Sequence, residues 1–334
     1  MAQKNPHCNV PGIFVISLDL ELRWGVRDAP RLDDYKANLL GVRAAVPALL
    51  QLFDKHGIHA TWAAVGFLFC ETRDELLQSL PTRFPTYADP RLSPYGDLAG
   101  IGHDEHEDPL HYAPSLIRMI KSSPGQEIGT HTFSHYYCLE PGQGAATFRA
   151  DLEAAIRVAK KHGLSLESCV FPRNQYNAES VSVLREVGIK SYRGNERSWI
   201  YRARSRDAES LFRRGARLLD SYVSLSGRNC HSPQASGCGY PVNVPSSRFL
   251  RPYTPSLGFL EGLRLRRILS DLRYAARNGL LYHLWWHPHN FGRHLEDNLA
   301  FLDQILRRFL EFRGTLGMES LSMREVAVRV QDRG

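Results

Sequence analysis

The chain has 334 residues, of which 43% are hydrophobic and 23% charged, and its formal net charge is +7 at pH 7. This is the composition of an ordinary globular protein with a sizeable core, so a chain dominated by disorder is excluded. The sequence holds no run of the ~20 apolar residues that a membrane-spanning helix needs, and its first residues lack the apolar segment of a signal peptide.

Six cysteines are spread along the chain without a CxxC pair, at positions 8, 70, 138, 169, 230 and 238. They are too sparse for a disulfide framework in a chain of this length, which indicates reduced thiols. Cys230 and Cys238 are close enough in sequence to form a local bridge. Reduced thiols and the lack of a signal peptide nevertheless predict a cytoplasmic protein.

Short apolar runs alternate with segments of helical periodicity, which is the pattern of a βα architecture. Strands are predicted at residues 13–18, 59–65, 127–131, 168–171, 189–192 and 280–286, with a short one near Met318. Helices are predicted at residues 36–56, 72–79, 113–121, 147–162, 179–187, 206–219, 259–278 and 296–313, with a last one from Ser322. About seven strands, each followed by a helix, predict one barrel domain over residues 1–334 rather than two domains.

Two segments interrupt this alternation and are interpreted as loop insertions. Residues 80–114 are rich in Pro, Asp and His, and residues 220–245 are rich in Ser, Gly, Pro and Asn. Long irregular loops inside compact domains often form lids or walls of a site. In α/β barrels the chemistry lies at the carboxyl ends of the strands, so polar residues at those ends are the first candidates for function.

Two acids follow the first predicted strand. Alternate side chains of a strand share a face, so Asp19 and Glu21 project together, whereas Leu18 and Leu20 face the other way. Two carboxylates at the end of a buried strand are costly unless a cation neutralises them. An ordinary strand end with two solvated acids is the alternative interpretation of this pair on its own.

Two histidines follow the third predicted strand in the run HTFSH, residues 131–135. Residues at i and i+4 face the same way in a helical turn, which would let His131 and His135 reach one metal ion. Histidine pairs on helices also occur without a metal, so this spacing alone is a weak signal. Its position after a strand strengthens the metal interpretation.

Two further polar segments follow predicted strands. The run LWWHPHN, residues 284–290, ends the last long strand, and a histidine there could act as a general acid or simply form a hydrogen bond below the aromatic residues. In FPRNQYN, residues 171–177, Arg173 could hold a carboxylate in its ionised form. The acid pair, the histidine pair and the histidine of residues 284–290 together match a hydrolytic metal site with three protein ligands and an open position for water.

An arginine cluster lies between these motifs, at positions 193, 197, 202, 204, 206, 213, 214 and 217. It could attract phosphate, nucleic acid or an anionic membrane surface. A solvated face balanced by neighbouring acids is the alternative interpretation. No zinc-finger spacing or aromatic RNA-binding signature supports nucleic acid, so none is expected as a partner, and phosphate on a sugar carrier is the better candidate ligand.

In this order, from about residue 13 to residue 327, the motifs resemble the polysaccharide deacetylases with a NodB-homology domain. HTFSH meets the family motif H-[ST]-x-x-H. SLDLE, residues 17–21, stands where the family has T-F-D-D-G and resembles the D-x-E variant of divergent branches. FPRNQY matches the arginine motif R-x-P-Y loosely, LWWH resembles the closing Leu-x-His motif, and the family's Asp–Trp element is not visible, since Trp199 lacks its Asp.

The resemblance implies a single distorted (β/α)7 TIM-like barrel and a metal-dependent hydrolase that removes an N-acetyl group from a sugar. By this likeness Glu21, His131 and His135 hold Zn²⁺, or another divalent ion such as Co²⁺, Ni²⁺ or Mn²⁺. Asp19 is the expected general base, although the altered motif leaves open that Asp19 binds the metal instead.

The remaining roles follow from the same resemblance. His287 is the expected general acid, and Arg173 is expected to orient the Asp19 carboxylate. Tyr176, Trp286 and His289 are expected at the substrate site, Tyr176 with its backbone N–H near the oxyanion and Trp286 as an aromatic wall. A cytoplasmic home favours a nucleotide- or lipid-linked precursor of a surface polysaccharide, such as an O-antigen, as the acetylated substrate.

Two alternatives remain open from the sequence. The barrel could carry another C–N hydrolase, a deformylase or a ureide amidase. It could also be a catalytically degenerate barrel that only binds glycans, because a fold does not determine a function and two family motifs are altered or absent.

Overall fold

The computed structural model describes residues 10–27, 32–205, 209–232 and 239–332. Cys8, Cys238 and Arg206 lie outside these ranges, and so does the local bridge considered for Cys230. The described chain forms nine strands, numbered β1 to β9 in chain order: Ile13–Leu20, Ala60–Ala64, Gln126–Thr130, Ser168–Cys169, Ser191–Tyr192, Val242–Asn243, Arg248–Phe249, Leu281–Trp286 and Glu319–Ser320.

All strand pairs are parallel, and the sheet has the order β6-β5-β4-β3-β2-β1-β8-β7, with β9 paired to β1 outside this path. Every residue of β1 is buried, as expected for a parallel strand covered on both faces. Its odd-numbered residues point to the inner face of the curved sheet, where Ile13 and Val15 pack with Met323 of the last helix. Its even-numbered residues Phe14 and Ile16 face the surrounding helices.

Strands β6 and β7 belong to one extended segment, residues 242–250, which closes the sheet into a barrel. Ser246 N donates to Gly194 O beside β5, and the next residue, Ser247 N, donates to His283 O of β8, both at 2.8 Å. Adjacent residues thus bond to opposite neighbours, as in an interior strand. The ring consists of β1, β2, β3, β4, β5, this segment and β8, and the predicted seven-strand barrel is confirmed.

The closing segment corrects the interpretation of residues 220–245 as a loop insertion, because β6 lies inside that range. Its two paired stretches are two residues each and lie among Pro, Ser and Asn, so the sequence shows no alternating apolar pattern there. The closing segment is recognisable as a barrel strand only from its backbone hydrogen bonds to β5 and β8.

Eleven α-helices are described, numbered α1 to α11: Arg23–Val26, Leu32–Leu40, Val42–His56, Arg73–Gln78, Pro114–Ser122, Ala145–Lys161, Ala178–Glu186, Leu211–Asp220, Glu261–Asn278, Leu295–Leu316 and Met323–Gln331. The single helix predicted at residues 36–56 is in fact α2 and α3, separated at Gly41. A Cβ on Gly41 would lie 2.1 Å from Gly292 O, so close backbone approach places the break there. Among the described residues, no helix combines the length and apolar character needed to cross a bilayer.

Candidate metal centre

The carboxyl ends of the barrel strands bring the predicted site residues together. Asp19 and Glu21 at the end of β1 are both buried, and Asp19 is held by a buried arginine. That arginine is Arg193, which follows β5 and donates two hydrogen bonds to the carboxylate oxygens of Asp19, at 2.6 and 2.7 Å. A planar guanidinium matches a carboxylate in this bidentate way and fixes its orientation.

A buried chain of hydrogen bonds continues below Asp19. Arg193 also donates to Ser17 Oγ at 3.0 Å, and Ser17 Oγ lies 2.8 Å from His283 Nε2. His283 Nδ1 lies 3.1 Å from the Val244 carbonyl and must donate to it, so neutral His283 accepts the Ser17 proton at Nε2. Burial lowers the pKa of His283 to about 3, which keeps it neutral and fixes the direction of the chain.

Glu21, His131 and His135 form one compact group. Glu21 Oε2 lies 3.3 Å from His131 Nε2 and 3.0 Å from His135 Nε2, and one ligand atom from each residue lies within 4.8 Å of the others. All three side chains are buried. The sequence predicted this set, and the fold brings it together from the loops after β1 and β3.

A strained loop, rather than the predicted helical turn, places the two imidazoles. Thr132 and His135 have left-handed backbones, with φ of 64° and 60°, a conformation that is costly for side chains other than Gly and Asn. The buried Asp151 of α6 holds the loop, because its carboxylate accepts from Phe133 N at 2.7 Å and from Ser134 N at 3.2 Å. Such strain persists only where surrounding contacts determine the conformation.

The donor set fits a divalent cation. His131 Nδ1 donates to the Val170 carbonyl at 2.8 Å, so the tautomer with its single proton on Nδ1 turns a lone pair at Nε2 toward the Glu21 carboxylate. Burial lowers the pKa of His135 to about 4, although Glu21 opposes this, and His135 is therefore neutral at pH 7. Lone pairs that converge on a carboxylate are stable together when a cation lies between them, and two imidazoles with a carboxylate suit zinc and similar ions.

The charges around the site keep both acids ionised. Burial by itself would raise the pKa of Glu21, but its charge interaction with the nearby His287 imidazole is the main opposing cause, and the pKa lies well below its usual value. Burial likewise opposes ionisation of Asp19, and Arg193 outweighs it, so the pKa of Asp19 is also lowered. Asp19 is therefore present as the carboxylate that a proton acceptor requires.

His287, after β8, faces both acids from the open side of the site. Its Nε2 lies 3.8 Å from Asp19 Oδ2 and 3.5 Å from Glu21 Oε1. It is partly exposed and lines a small cavity over the two acids. His289 lies behind it with stacked rings 4.8 Å apart, and burial lowers the pKa of His289 to about 3. A role for His289 toward substrate stays a prediction.

The assignment of Arg173 as the orienter of Asp19 is wrong. Residues 173 and 174 both have left-handed backbones, with φ of 54° and 53°. This turn sends the Arg173 guanidinium over the Tyr137 ring, 4.2 Å from its centroid, and 3.8 Å from Glu140 Oε1. Asn174 instead reaches the site, where its Oδ1 accepts from Arg193 at 2.9 Å. Arg173 remains at the rim of the small cavity.

One of the predicted substrate contacts is also corrected, and another stays a prediction. Trp286 is fully buried and stacks on Phe291 in the core outside the barrel, because side chains alternate along β8. Its neighbour Trp285 has the inward position and lies under Arg193, 4.1 Å from its guanidinium carbon. The Tyr176 ring stacks on Phe171, and its hydroxyl accepts from Asn195 N at 3.4 Å. The role expected of the Tyr176 backbone N–H stays a prediction.

Sequence reasoning missed several site residues, above all Arg193. The arginine cluster was interpreted as a solvated or anion-binding face, yet Arg193 is only 1% exposed and serves Asp19. A usable signal was present, since Arg193 directly follows a predicted strand, as do the four recognised motifs. Ser17, Asn174 and Asp151 carried no comparable signal, because single Ser, Asn and Asp residues are common at strand ends and in helices.

Comparison with known proteins agrees with this fold. Residues 32–192 match the family model for polysaccharide deacetylase. This range contains both histidines of the metal group, whereas Asp19, Glu21 and His287 lie outside it. No curated protein sequence matches the chain.

Two solved structures share the fold. A candidate polysaccharide deacetylase from Mycobacterium smegmatis has a TM-score of 0.62 at 15% identity, covering 98% of this chain and 93% of that one. A candidate polysaccharide deacetylase from Pseudomonas aeruginosa has a TM-score of 0.55 at 12% identity, covering 96% and 91%. The chain is thus similar to the polysaccharide deacetylases over residues 32–192, just under half of its length, and it shares the barrel fold of the two solved structures.

Proposed function

We propose that the protein is an active metal-dependent deacylase that removes an N-acetyl group from a sugar. The observation that carries this proposal is the convergence of Glu21, His131 and His135 beside an ionised, arginine-bound Asp19. A glycan-binding barrel without catalysis has no need of a buried carboxylate aimed into the cavity next to a metal group. The sugar is expected to be a precursor linked to a nucleotide or a lipid carrier.

Glu21, His131 and His135 would hold the cation, for which Zn²⁺ and related divalent ions are the candidates. A divalent ion there supplies Lewis acidity, which polarises an acyl carbonyl and lowers the pKa of water from near 16 toward about 7. Asp19 is not needed as a ligand, because both of its carboxylate oxygens accept hydrogen bonds from Arg193.

Two groups of this chain move protons. Asp19 accepts the proton of the attacking water, and Arg193 keeps the carboxylate ionised and oriented while it does so. His287 donates a proton to the leaving amine from the open side of the cavity. Trp285 and Asn174 line the small cavity, and Asn174 also accepts a hydrogen bond from Arg193. Both residues therefore position the reacting groups.

Metal content and product release in two variants test the proposal. We expect His131→Ala to lose both the bound metal and turnover. His287→Ala is expected to keep the metal, while its turnover falls roughly 10²- to 10⁴-fold. Metal is measured by elemental analysis, and acetate release is measured on a panel of N-acetylated sugars.

Other results would contradict the assignment. Full turnover in His131→Ala removes the ligand role, and a purified protein without metal supports the degenerate barrel. Release of formate or ammonia in place of acetate supports the deformylase or ureide amidase alternative.

A further inference from the structure

A large cavity adjoins the metal centre and has an unusual charge. Its volume is about 840 Å³, and it shares Arg173, Asn174, Trp285 and His287 with the small cavity over the acids. Seven arginines line it, against two carboxylates, Glu196 and Glu209. A neutral sugar chain requires hydrogen-bonding groups and aromatic faces, and it does not require this excess of cations.

Three of the seven arginines are compensated by nearby acids. Arg217 lies 2.7 Å from a Glu209 oxygen, and Arg173 lies 3.8 Å from a Glu140 oxygen. Arg248 pairs with two buried acids behind the cavity wall, Asp220 at 3.4 Å and Asp271 at 3.2 Å. These arginines build the wall and leave little net charge.

The other four, Arg202, Arg204, Arg214 and Arg251, form no ion pair with any residue that the structure describes. Burial raises the pKa of the Glu196 carboxyl, and Glu196 and Glu209 together remain fewer than the arginines of the lining. Guanidinium groups bind phosphate oxygens with paired N–H donors, and several uncompensated cations favour a multivalent anion over a single carboxylate.

We propose that this cavity binds the phosphate or diphosphate group of the acylated sugar substrate, an inference that rests on the proposed function. The shared walls would place the sugar over Asp19 and His287 while the arginines hold its anionic group. The same chemistry is offered by a soluble nucleotide diphosphate and by a lipid diphosphate.

Calorimetric titration with inorganic pyrophosphate tests the subsite. We expect Arg204→Gln/Arg214→Gln to weaken pyrophosphate binding at least 10-fold. The matched control is Arg83→Gln/Arg266→Gln, which removes two exposed arginines outside the cavity and is expected to bind like the unmodified protein. His131→Ala is expected to retain pyrophosphate binding, because the anion binds to arginines and not to the metal.

The outcomes separate this inference from the proposed function. The subsite is overturned if the protein holds metal and releases acetate but does not bind pyrophosphate. It is also overturned if the Arg204→Gln/Arg214→Gln variant binds pyrophosphate as well as the unmodified protein does. Either result leaves the proposed deacylase activity intact. Titration with uridine diphosphate and with farnesyl diphosphate assigns the source, since the preferred ligand carries either the nucleotide or the lipid.

A second, independent observation concerns α8, whose apolar side chains are exposed while two of its charged side chains are buried. Leu211 and Phe212 are 81% and 73% exposed, whereas Arg213 and Asp220 of the same helix are buried. Arg213 donates to the carbonyl oxygens of Trp199, Ile200 and Arg202, which ties the helix to the preceding turn. Soluble proteins normally bury the apolar face of a surface helix, so an outward apolar face marks a contact surface.

The surroundings of α8 indicate what covers this face. Trp199 stacks near Phe212, and Leu218 and Leu219 extend the exposed apolar surface. Exposed Arg214 lies on the flank of the helix, and exposed Arg202 and Arg204 precede it. Apolar and aromatic residues bordered by arginines form the pattern of a helix that lies in the interface of an anionic bilayer.

We infer that α8 docks on an anionic lipid surface. At ten residues the helix is about 15 Å long, which suits an interfacial position and not a membrane span. Arg214 and Arg217 on this helix also line the large cavity, so the cavity opens beside the docking face.

Vesicle co-sedimentation tests the docking. The protein is expected to bind vesicles of phosphatidylcholine with phosphatidylglycerol and to bind pure phosphatidylcholine much less. Phe212→Ser/Leu219→Ser is expected to lower partitioning at least 10-fold. The control Leu77→Ser/Leu316→Ser changes two exposed apolar residues elsewhere and is expected to bind normally.

Both pairs of substituted residues are exposed, and a circular dichroism melt verifies that the variants fold. Equal partitioning of the α8 variant and its control overturns the inference. Sedimentation velocity without lipid provides the other decisive result, because a dimer that the α8 substitutions dissociate would assign the face to a second copy of the chain.

Discussion

At the scale of single residues, Arg193 connects the proton acceptor to the rest of the barrel. It binds Asp19 through two nitrogens and also reaches Ser17 and Asn174, while its guanidinium covers Trp285. The planar guanidinium therefore fixes the orientation of the Asp19 carboxylate and keeps it ionised. The guanidinium geometry, and not charge alone, supports this arrangement.

Replacement of Arg193 by lysine separates geometry from charge. Arg193→Lys keeps a cation but loses one of the paired hydrogen bonds, each of which is worth about 1.5–3 kcal/mol when a charged group takes part. Turnover is therefore expected to fall about 10- to 100-fold while bound metal is unchanged. Steady-state kinetics with metal analysis provide the measurement, and normal turnover in this variant would remove the orienting role.

Asp151 gives the folded protein a specific pH dependence. Burial raises its pKa from 3.8 to about 6, so the folded chain binds this proton more tightly than the unfolded chain. The corresponding stability is present at low pH and is lost as the pH rises from about 4 to about 6.

The shift corresponds to about 3 kcal/mol. Asp151→Asn cannot titrate, so between pH 4 and pH 7 the metal-free unmodified protein is expected to lose about that much more unfolding free energy than the variant does. Urea denaturation at both pH values measures this difference. Parallel pH profiles for the two proteins would show that Asp151 titrates normally.

The site residues that could be predicted from the sequence are those whose residue type is uncommon at such a position in a fold. Two acids at the end of a buried strand and a histidine pair after another strand are uncommon, so Glu21, His131 and His135 were found from the sequence. Arg193 was hidden among other arginines, and its function depends on a partner 174 residues away. Contacts across such a distance in sequence follow from the sheet order, which the sequence does not contain.

At the scale of elements, the metal group depends on the contact between two loops. After β2, Gly66 N donates to Thr132 O at 2.9 Å and Phe67 N donates to Phe133 O at 3.1 Å. A Cβ on Gly66 would lie only 2.8 Å from Phe133 Cα. The histidine loop can take its left-handed turns here because this neighbour has no side chain.

The substitution Gly66→Ala is expected to displace the histidine loop and weaken zinc binding about 10- to 100-fold, the usual effect of disturbing residues that support metal ligands. Gly96→Ala is the control, since a Cβ there meets nothing within 4 Å. Competition with a chromophoric chelator measures the affinity, and equal affinity in both variants would contradict the steric account.

Most elements were predictable because their apolar periodicity is strong. Helices such as α6 and α10 and the long strand β1 agree with the predicted ranges within a few residues. The break between α2 and α3 was not predictable, because its cause is the Gly292 backbone, which is remote in sequence. The closing segment was missed for the same reason.

At the scale of the whole molecule, barrel closure depends on a side chain. His283 N donates to Ser247 Oγ at 2.9 Å, at the point where residues 242–250 change partner from β5 to β8. A hydroxyl thus takes the place of a backbone acceptor. Both groups are buried, so no water can replace the bond at low cost.

Removal of this hydroxyl is expected to destabilise the barrel. Ser247→Ala leaves a buried N–H without its acceptor, which costs about 1–3 kcal/mol of unfolding free energy. Ser165→Ala, at an exposed position, is expected to change stability by less than about 0.5 kcal/mol. Urea denaturation of both variants makes the comparison, and equal stabilities would show that the closure does not need the side chain.

The outward apolar face of α8 has a consequence for kinetics. An enzyme that docks on a bilayer meets a lipid-borne substrate in two dimensions, so its rate follows the mole fraction of substrate in the membrane. Adding inert lipid at constant total substrate would then slow the reaction, although the bulk concentration stays the same. A freely diffusing nucleotide sugar would show no such surface dilution.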